Sequence, residues 1–141
     1  GARVFVGFTA ATNETAPTFE ITASSDTVVS NAANGVGFLF DNDATTKEWF
    51  ICGVDGNTDA TGVGASGTAP TADTRQTLRI EVDADGEGAE FFIDDTSVGS
   101  LTAAACAAST NIFPVVWASL SSGTTTRNVD VDYVYVSSTR V

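Results

Sequence analysis

Seven carboxylates crowd into the stretch EVDADGEGAEFFIDD, residues 81–95: Glu81, Asp83, Asp85, Glu87, Glu90, Asp94 and Asp95. Residues of this type at this spacing could do two kinds of chemistry. Two carboxyl groups about 5–5.5 Å apart can cleave a glycosidic bond with retention, and Glu81 and Asp83, two apart on a strand, would project from the same face. A short acidic loop can instead supply the several oxygen ligands that calcium requires. For that role the candidates are Asp83, Asp85 and Glu87, at alternate positions, with Gly88 allowing the sharp bend.

Both patterns are incomplete. The hydrolytic series would read Glu-x-Asp-x-Glu or Glu-x-Asp-x-x-Glu, whereas Glu81, Asp83 and Asp85 give Glu-x-Asp-x-Asp, and Gly86 already turns the chain. Aromatic rings to hold a sugar are missing nearby, apart from Phe92 opposite. A loop of the Asp-x-Asp-x-Asp-Gly-x-x-Asp type would place its last carboxylate at position 91, which is Phe91; Glu90 is one residue off. DGNTDATG (55–62) has similar partial spacing, with Ala60 where an EF-hand loop wants Gly. The preferred reading is a β-hairpin. Leu78, Ile80 and Val82 would face Phe91 and Ile93, and ADGEGA between them supplies residues that tolerate positive φ. The carboxylates are then a solvated face and a turn. No cofactor is expected, and calcium on Asp83, Asp85 and Glu87 is the metal reading that stays open.

The whole chain narrows the field further. At 141 residues it suits one domain with a sizeable core. Eighteen acidic against six basic residues give a formal charge of −12. Nucleic acid and anionic membrane both need a basic face, so neither is an expected partner. There is no histidine, which removes Ser-His-Asp and Cys-His catalysis and the usual zinc sites. No apolar run approaches a membrane span and no signal peptide is visible. The chain starts with Gly1 and has no Met, so a processed product or an excerpt of a longer chain is expected. Cys52 and Cys106 are 54 positions apart and match no metal motif. Two readings stay open for them: a disulfide worth roughly 3–4 kcal/mol, or two small buried hydrophobes.

The elements that must position these residues are strands. Period-2 patterning marks RVFVGF (3–8), GVGFLFD (35–41), EWFICGV (48–54), QTLRIEVD (76–83), EFFID (90–94), SVGSL (97–101), IFPVVWASL (112–120) and NVDVDYVYVS (128–137). Residues 56–74 read as a long surface loop, and 101–110 as a loop with at most one helical turn. Eight strands with Gly, Asn, Asp and Ser turns predict an all-β fold, an antiparallel β-sandwich or jelly roll. Leu78, Ile80, Val82, Phe91, Ile93, Phe38 and Phe40 should be mostly buried.

The motifs VFVGFTAATN, GVGFLFDNDATTKEW, QTLRIEVDADGEGAEFFIDDTSVGSLTA and NVDVDYVYV, in that order, resemble the concanavalin A-like lectin/glucanase superfamily. The likeness is to the laminin-G-like jelly-roll domains of tailed-phage virion proteins, and it covers nearly the whole chain. Asp94-Asp95 departs from the Asp/Asn-Gly usual before the Val-Gly, and strands that normally precede the Gly-Phe strand are absent. The hydrolase motif is not preserved, so no glucanase activity carries over, and no lectin residue finds a matching position.

The resemblance implies a non-enzymatic virion surface protein: a capsid decoration, head fibre or tail fibre module for adhesion or capsid reinforcement. Its partners would be other virion proteins, such as the major capsid protein, and further copies of itself, a trimer being favoured. The alternative is an extracellular carbohydrate-binding module of a secreted or cell-surface bacterial protein, contacting a cell-surface glycan. Trp49, Trp117, Tyr133 and Tyr135 are then the candidate sugar-stacking rings besides Phe, although a strand Trp is more often core.

Overall fold

A computed structural model describes residues 1–11, 17–107, 109–126 and 128–138. Thr12 and Asn13 of the first motif, and Ala108 of the predicted 101–110 loop, lie outside them. The described residues form eleven strands and no helix: β1 (Ala2–Thr9), β2 (Phe19–Thr22), β3 (Thr27–Ser30), β4 (Gly35–Asp41), β5 (Phe50–Asp55), β6 (Thr58–Asp59), β7 (Gly64–Ala65), β8 (Leu78–Val82), β9 (Ala89–Ile93), β10 (Thr96–Leu101) and β11 (Phe113–Leu120). These strands pair antiparallel. The main sheet runs β11-β1-β4-β5-β6, with β7 also on β5, and β10-β9-β8 forms a second sheet.

Strand alternation divides the core in two. Val4, Val36, Phe38 and Ile51 leave one face of the main sheet and meet Ala89, Phe91 and Ile93 of the second sheet. Phe38 and Phe91 touch edge to face at 5.1 Å. Phe5, Leu39, Phe50, Cys52 and Val54 leave the opposite face and pack under the β2–β3 hairpin through Phe19 and Ile21. That hairpin had no counterpart among the predicted strands. Gly7 and Gly37 lie opposite each other in the ladder, and a Cβ on Gly37 would run into the Phe5 ring. The two glycines thus clear a slot in which Phe5 is fully buried.

Charge fixes the register at the other end of these strands. Arg3 pairs with Asp41 across β1 and β4, donating from Nε to Asp41 Oδ2 at 2.9 Å and from a terminal nitrogen to Glu20 Oε1 at 2.7 Å. Asp41 is 2% exposed, and its second oxygen accepts the Asp43 N–H. Asp94 and Asp95, the turn between β9 and β10, both have positive φ, 50° and 62°. A two-residue hairpin turn of this hand matches the strand twist, and Asp is among the residues that tolerate it.

Three expectations need correction. Residues 128–138 form no strand and are exposed throughout. The predicted 56–74 loop contains the short strands β6 and β7, and its Thr61 bridges to Ala103 in the 101–110 loop. Phe38, Phe91 and Ile93 are buried as expected, but Leu78, Ile80, Val82 and Phe40 are only half-buried. The cause for β8 is its place at the edge of a three-stranded sheet, with no further strand among the described residues to cover its flank.

Candidate functional site

The acidic hairpin folds in the predicted register. Leu78 lies opposite Ile93 and Ile80 opposite Phe91. Gly86, at φ 76°, makes the bend, and its N–H donates to the Asp83 carbonyl at 2.9 Å. The turn is fastened to the loop after β10: the Cys106 N–H donates to the Gly86 carbonyl at 3.0 Å and the Ala105 N–H to the Glu87 carbonyl at 3.2 Å. A Cβ on Gly88 would meet the Asp83 carboxylate, so a larger residue there would push that exposed side chain aside.

The carboxylates of this stretch go separate ways. Asp85 Oδ1 accepts the backbone N–H of Glu87 at 3.1 Å. Glu81 accepts from Arg79 on its own strand, and the Arg79 guanidinium lies 3.6 Å from the centre of the Phe92 ring. Glu90 accepts from Ser97 Oγ at 2.8 Å, and Asp94 accepts the Thr77 N–H at 2.8 Å. Asp83, Asp85 and Glu87 are all exposed and do not converge. Among the described residues, no three His, Cys, Asp or Glu side chains are grouped to hold a metal ion. The stretch 55–62 likewise assembles no ligand set; Asp59 instead accepts from Ser30 Oγ at 2.8 Å.

The sulfur atoms are separated by the main sheet. Cys52 belongs to the cluster under the β2–β3 hairpin and Cys106 to the cluster between the two sheets, and both are free thiols. Desolvation pushes the Cys52 thiol well above the ordinary 9.0 and Cys106 above it. The thiolate is the reactive form, so both behave as small buried hydrophobes. The Cys52 thiol donates to the Gly37 carbonyl at 3.1 Å.

The aromatic candidates divide in the same way. Trp49 is 7% exposed, packs against Phe38 and Phe40 and donates from Nε1 to Gln76 Oε1 at 3.0 Å. Trp117 is half-buried beside Phe5, its ladder partner. Tyr133 and Tyr135, at 70% and 79% exposed, present their rings to solvent, on the segment 128–138 that follows β11 and forms no strand. That segment is tethered near β8 by an ion pair between Asp132 and Arg75, 2.8 Å apart. Sequence pattern located the exposed tyrosines but not their exposure, which follows from having no ladder partner among the described residues.

No helix among the described residues is long and apolar enough to cross a membrane. Compared with protein-family models, with curated proteins and with solved structures, the chain matches none.

Proposed function

We propose that this chain is a non-enzymatic structural module on the surface of a phage-like particle, built as a concanavalin A-like jelly roll and acting as a capsid decoration, head fibre or tail fibre domain. The observation that carries the reading is what the acidic hairpin does with its side chains. Asp85, Asp94 and Glu90 hold their own turn and strands in place, as a structural hairpin would. The order of sequence motifs, of which NVDVDYVYV forms no strand, supports the particle assignment by resemblance alone, an argument by analogy. Immunogold labelling of particles with an antibody against the chain tests it: label on heads or fibres is expected, and label confined to cell envelopes or secreted fractions would sink it. Incubation with β-glucans or agar-type polysaccharides should release no reducing sugar, and release abolished by Glu81→Gln would establish an enzyme instead.

One observation favours a second reading, the extracellular carbohydrate-binding module. Tyr133 and Tyr135 expose two rings beside Asp132, and sugar recognition combines a stacking ring with a polar partner. Binding on a glycan array that disappears with Tyr133→Ala and Tyr135→Ala would choose this reading.

A further inference from the structure

The second sheet ends in an edge whose chemistry is complementary to itself. The Asp94 N–H donates to Thr77 O and the Asp83 N–H to Gly88 O, so in the β8–β9 register the odd positions 77, 79, 81 and 83 turn their backbone groups toward β9. Leu78, Ile80 and Val82 therefore turn theirs to the open edge, where no strand lies beside them among the described residues. Unpaired edges of this kind are templates for another strand.

We propose that the occupant of this edge is a second copy of the chain, its β8 running antiparallel about a two-fold axis at Ile80. Three features of the strand point to that partner. First, the axis falls on a residue whose backbone groups face outward, so Ile80 pairs with Ile80 of the second copy, and Leu78 with its Val82, in hydrogen-bonded positions. Second, the same register sets Arg79 opposite Glu81 of the second copy, and Glu81 opposite its Arg79, at the closer non-bonded positions where opposite charges stabilise. Glu81 already accepts from Arg79 of its own strand and faces Glu90 across the sheet, so the pairing lets the two arginines and two Glu81 carboxylates of the paired strands share one another. Third, Leu78, Ile80 and Val82 are half-buried against the core, and the partner strand extends that apolar row. The pairing is isologous and closes at two copies. The Arg75–Asp132 tether approaches this edge, but both side chains are exposed, 85% and 63%, and such a pair yields at little cost.

Edge strands alone make a small interface, so association belongs at roughly micromolar concentrations rather than nanomolar. Sedimentation velocity of the chain at physiological salt, from about 1 µM to several hundred µM, should show monomer passing to dimer. Glu81→Arg sets arginine against arginine across the axis and should raise the dissociation constant about tenfold. The exchange Arg79→Glu with Glu81→Arg restores opposite charges and should bring it back to within about threefold. Ile80→Cys places two thiols at Cα positions about 5.5 Å apart, which suits a disulfide, and mild oxidation should link it into dimers far more than Ser97→Cys on β10. The proposal fails if the chain stays monomeric at the highest concentration. It also fails if it forms a trimer, or a dimer indifferent to Glu81→Arg, or if the Ile80→Cys and Ser97→Cys variants cross-link equally.

Discussion

LRIEVD (78–83) alternates apolar and polar residues throughout, and VDVDYVYV (129–136) does so over its first half, yet only the first contains a strand. The difference lies in what each meets. Residues 78–82 find a complete ladder on β9, held by the turn 83–88, and an apolar face to cover. Residues 129–136 come after β11 has ended at Leu120 and pair with no strand among the described residues; Val131, Tyr133, Val134 and Tyr135 are all about half exposed or more. Period-2 patterning thus states which side chains could share a face, and the ladder partner decides whether they do.

The largest effect should come from breaking the face that makes the first segment a strand. Phe91 is fully buried, lies opposite Ile80 and packs on Phe38. Phe91→Ala should cost about 3–5 kcal/mol, read by urea or thermal unfolding. Tyr135→Ala, the same loss of a ring in the second segment, should change stability by less than about 0.5 kcal/mol. Comparable costs for the two would mean that residues 129–136 are packed in the folded protein, and the comparison would collapse.

A second break is electrostatic. β1 and β4 are aligned by Arg3 and Asp41, directly opposite one another and both largely removed from water. Asp41→Ala leaves the Arg3 guanidinium with only Glu20, which is itself part exposed, and should cost about 3 kcal/mol. A denaturation midpoint unchanged by this substitution would show that the apolar faces alone set the register. The charged contact given to residues 129–136, between Asp132 and Arg75, is solvent-exposed and pins nothing comparable.

Acid sharpens the comparison at the point where the second segment departs. Hydrogen bonds from the Ser122 and Ser121 hydroxyls hold the Asp43 carboxyl below its ordinary 3.8. Asp26 is held below the same value by Thr46 and Thr45, whose N–H groups it accepts at 2.9 and 2.7 Å. A depressed folded pKa contributes stability that is fully present above the unfolded value and lost as pH falls through the folded one. Unfolding midpoints should therefore decline below about pH 4, and Asp26→Asn should flatten part of that decline. An acid limb identical in the variant would remove Asp26 from the account.

The same logic explains how much was legible beforehand. Seven of the eight predicted strands exist, because Val36-Phe38, Leu78-Ile80 and their like alternate and the Gly, Asn and Asp turns between them force reversal. The β2–β3 hairpin was missed because FEITASSDTVVS has few large apolar residues, and its Phe19 and Ile21 take their meaning from the distant cluster around Phe5. The half-burial of β8 could not be read from LRIEV, since edge or centre is a property of the sheet. The acidic turn was legible as a turn from Gly86 and Gly88. Its carboxylate partners were not, because Asp85 meets its own backbone while Glu90 meets Ser97 through the β9–β10 pairing.

That turn is also where the smallest effect is expected. An ion that binds only the folded state adds RT ln(1 + [L]/Kd), about 2.7 kcal/mol at a hundredfold excess over Kd, which would move the melting temperature of a domain this size by several degrees. Asp83, Asp85 and Glu87 are exposed and do not share a partner, while the bend itself is held by the backbone bonds of Asp83, Gly86 and Cys106. Chelation of calcium should thus leave the melt almost unmoved. Asp85→Asn keeps an oxygen to accept the Glu87 N–H, and Asp83→Asn removes one charge from a crowded acidic surface, so each should be neutral or slightly stabilising. A drop of several degrees on chelation, abolished by those two substitutions, would make 83–88 a metal loop. The hairpin would then owe its turn to an ion rather than to its glycines, and the contrast with residues 129–136 would rest on a ligand as well as on a ladder.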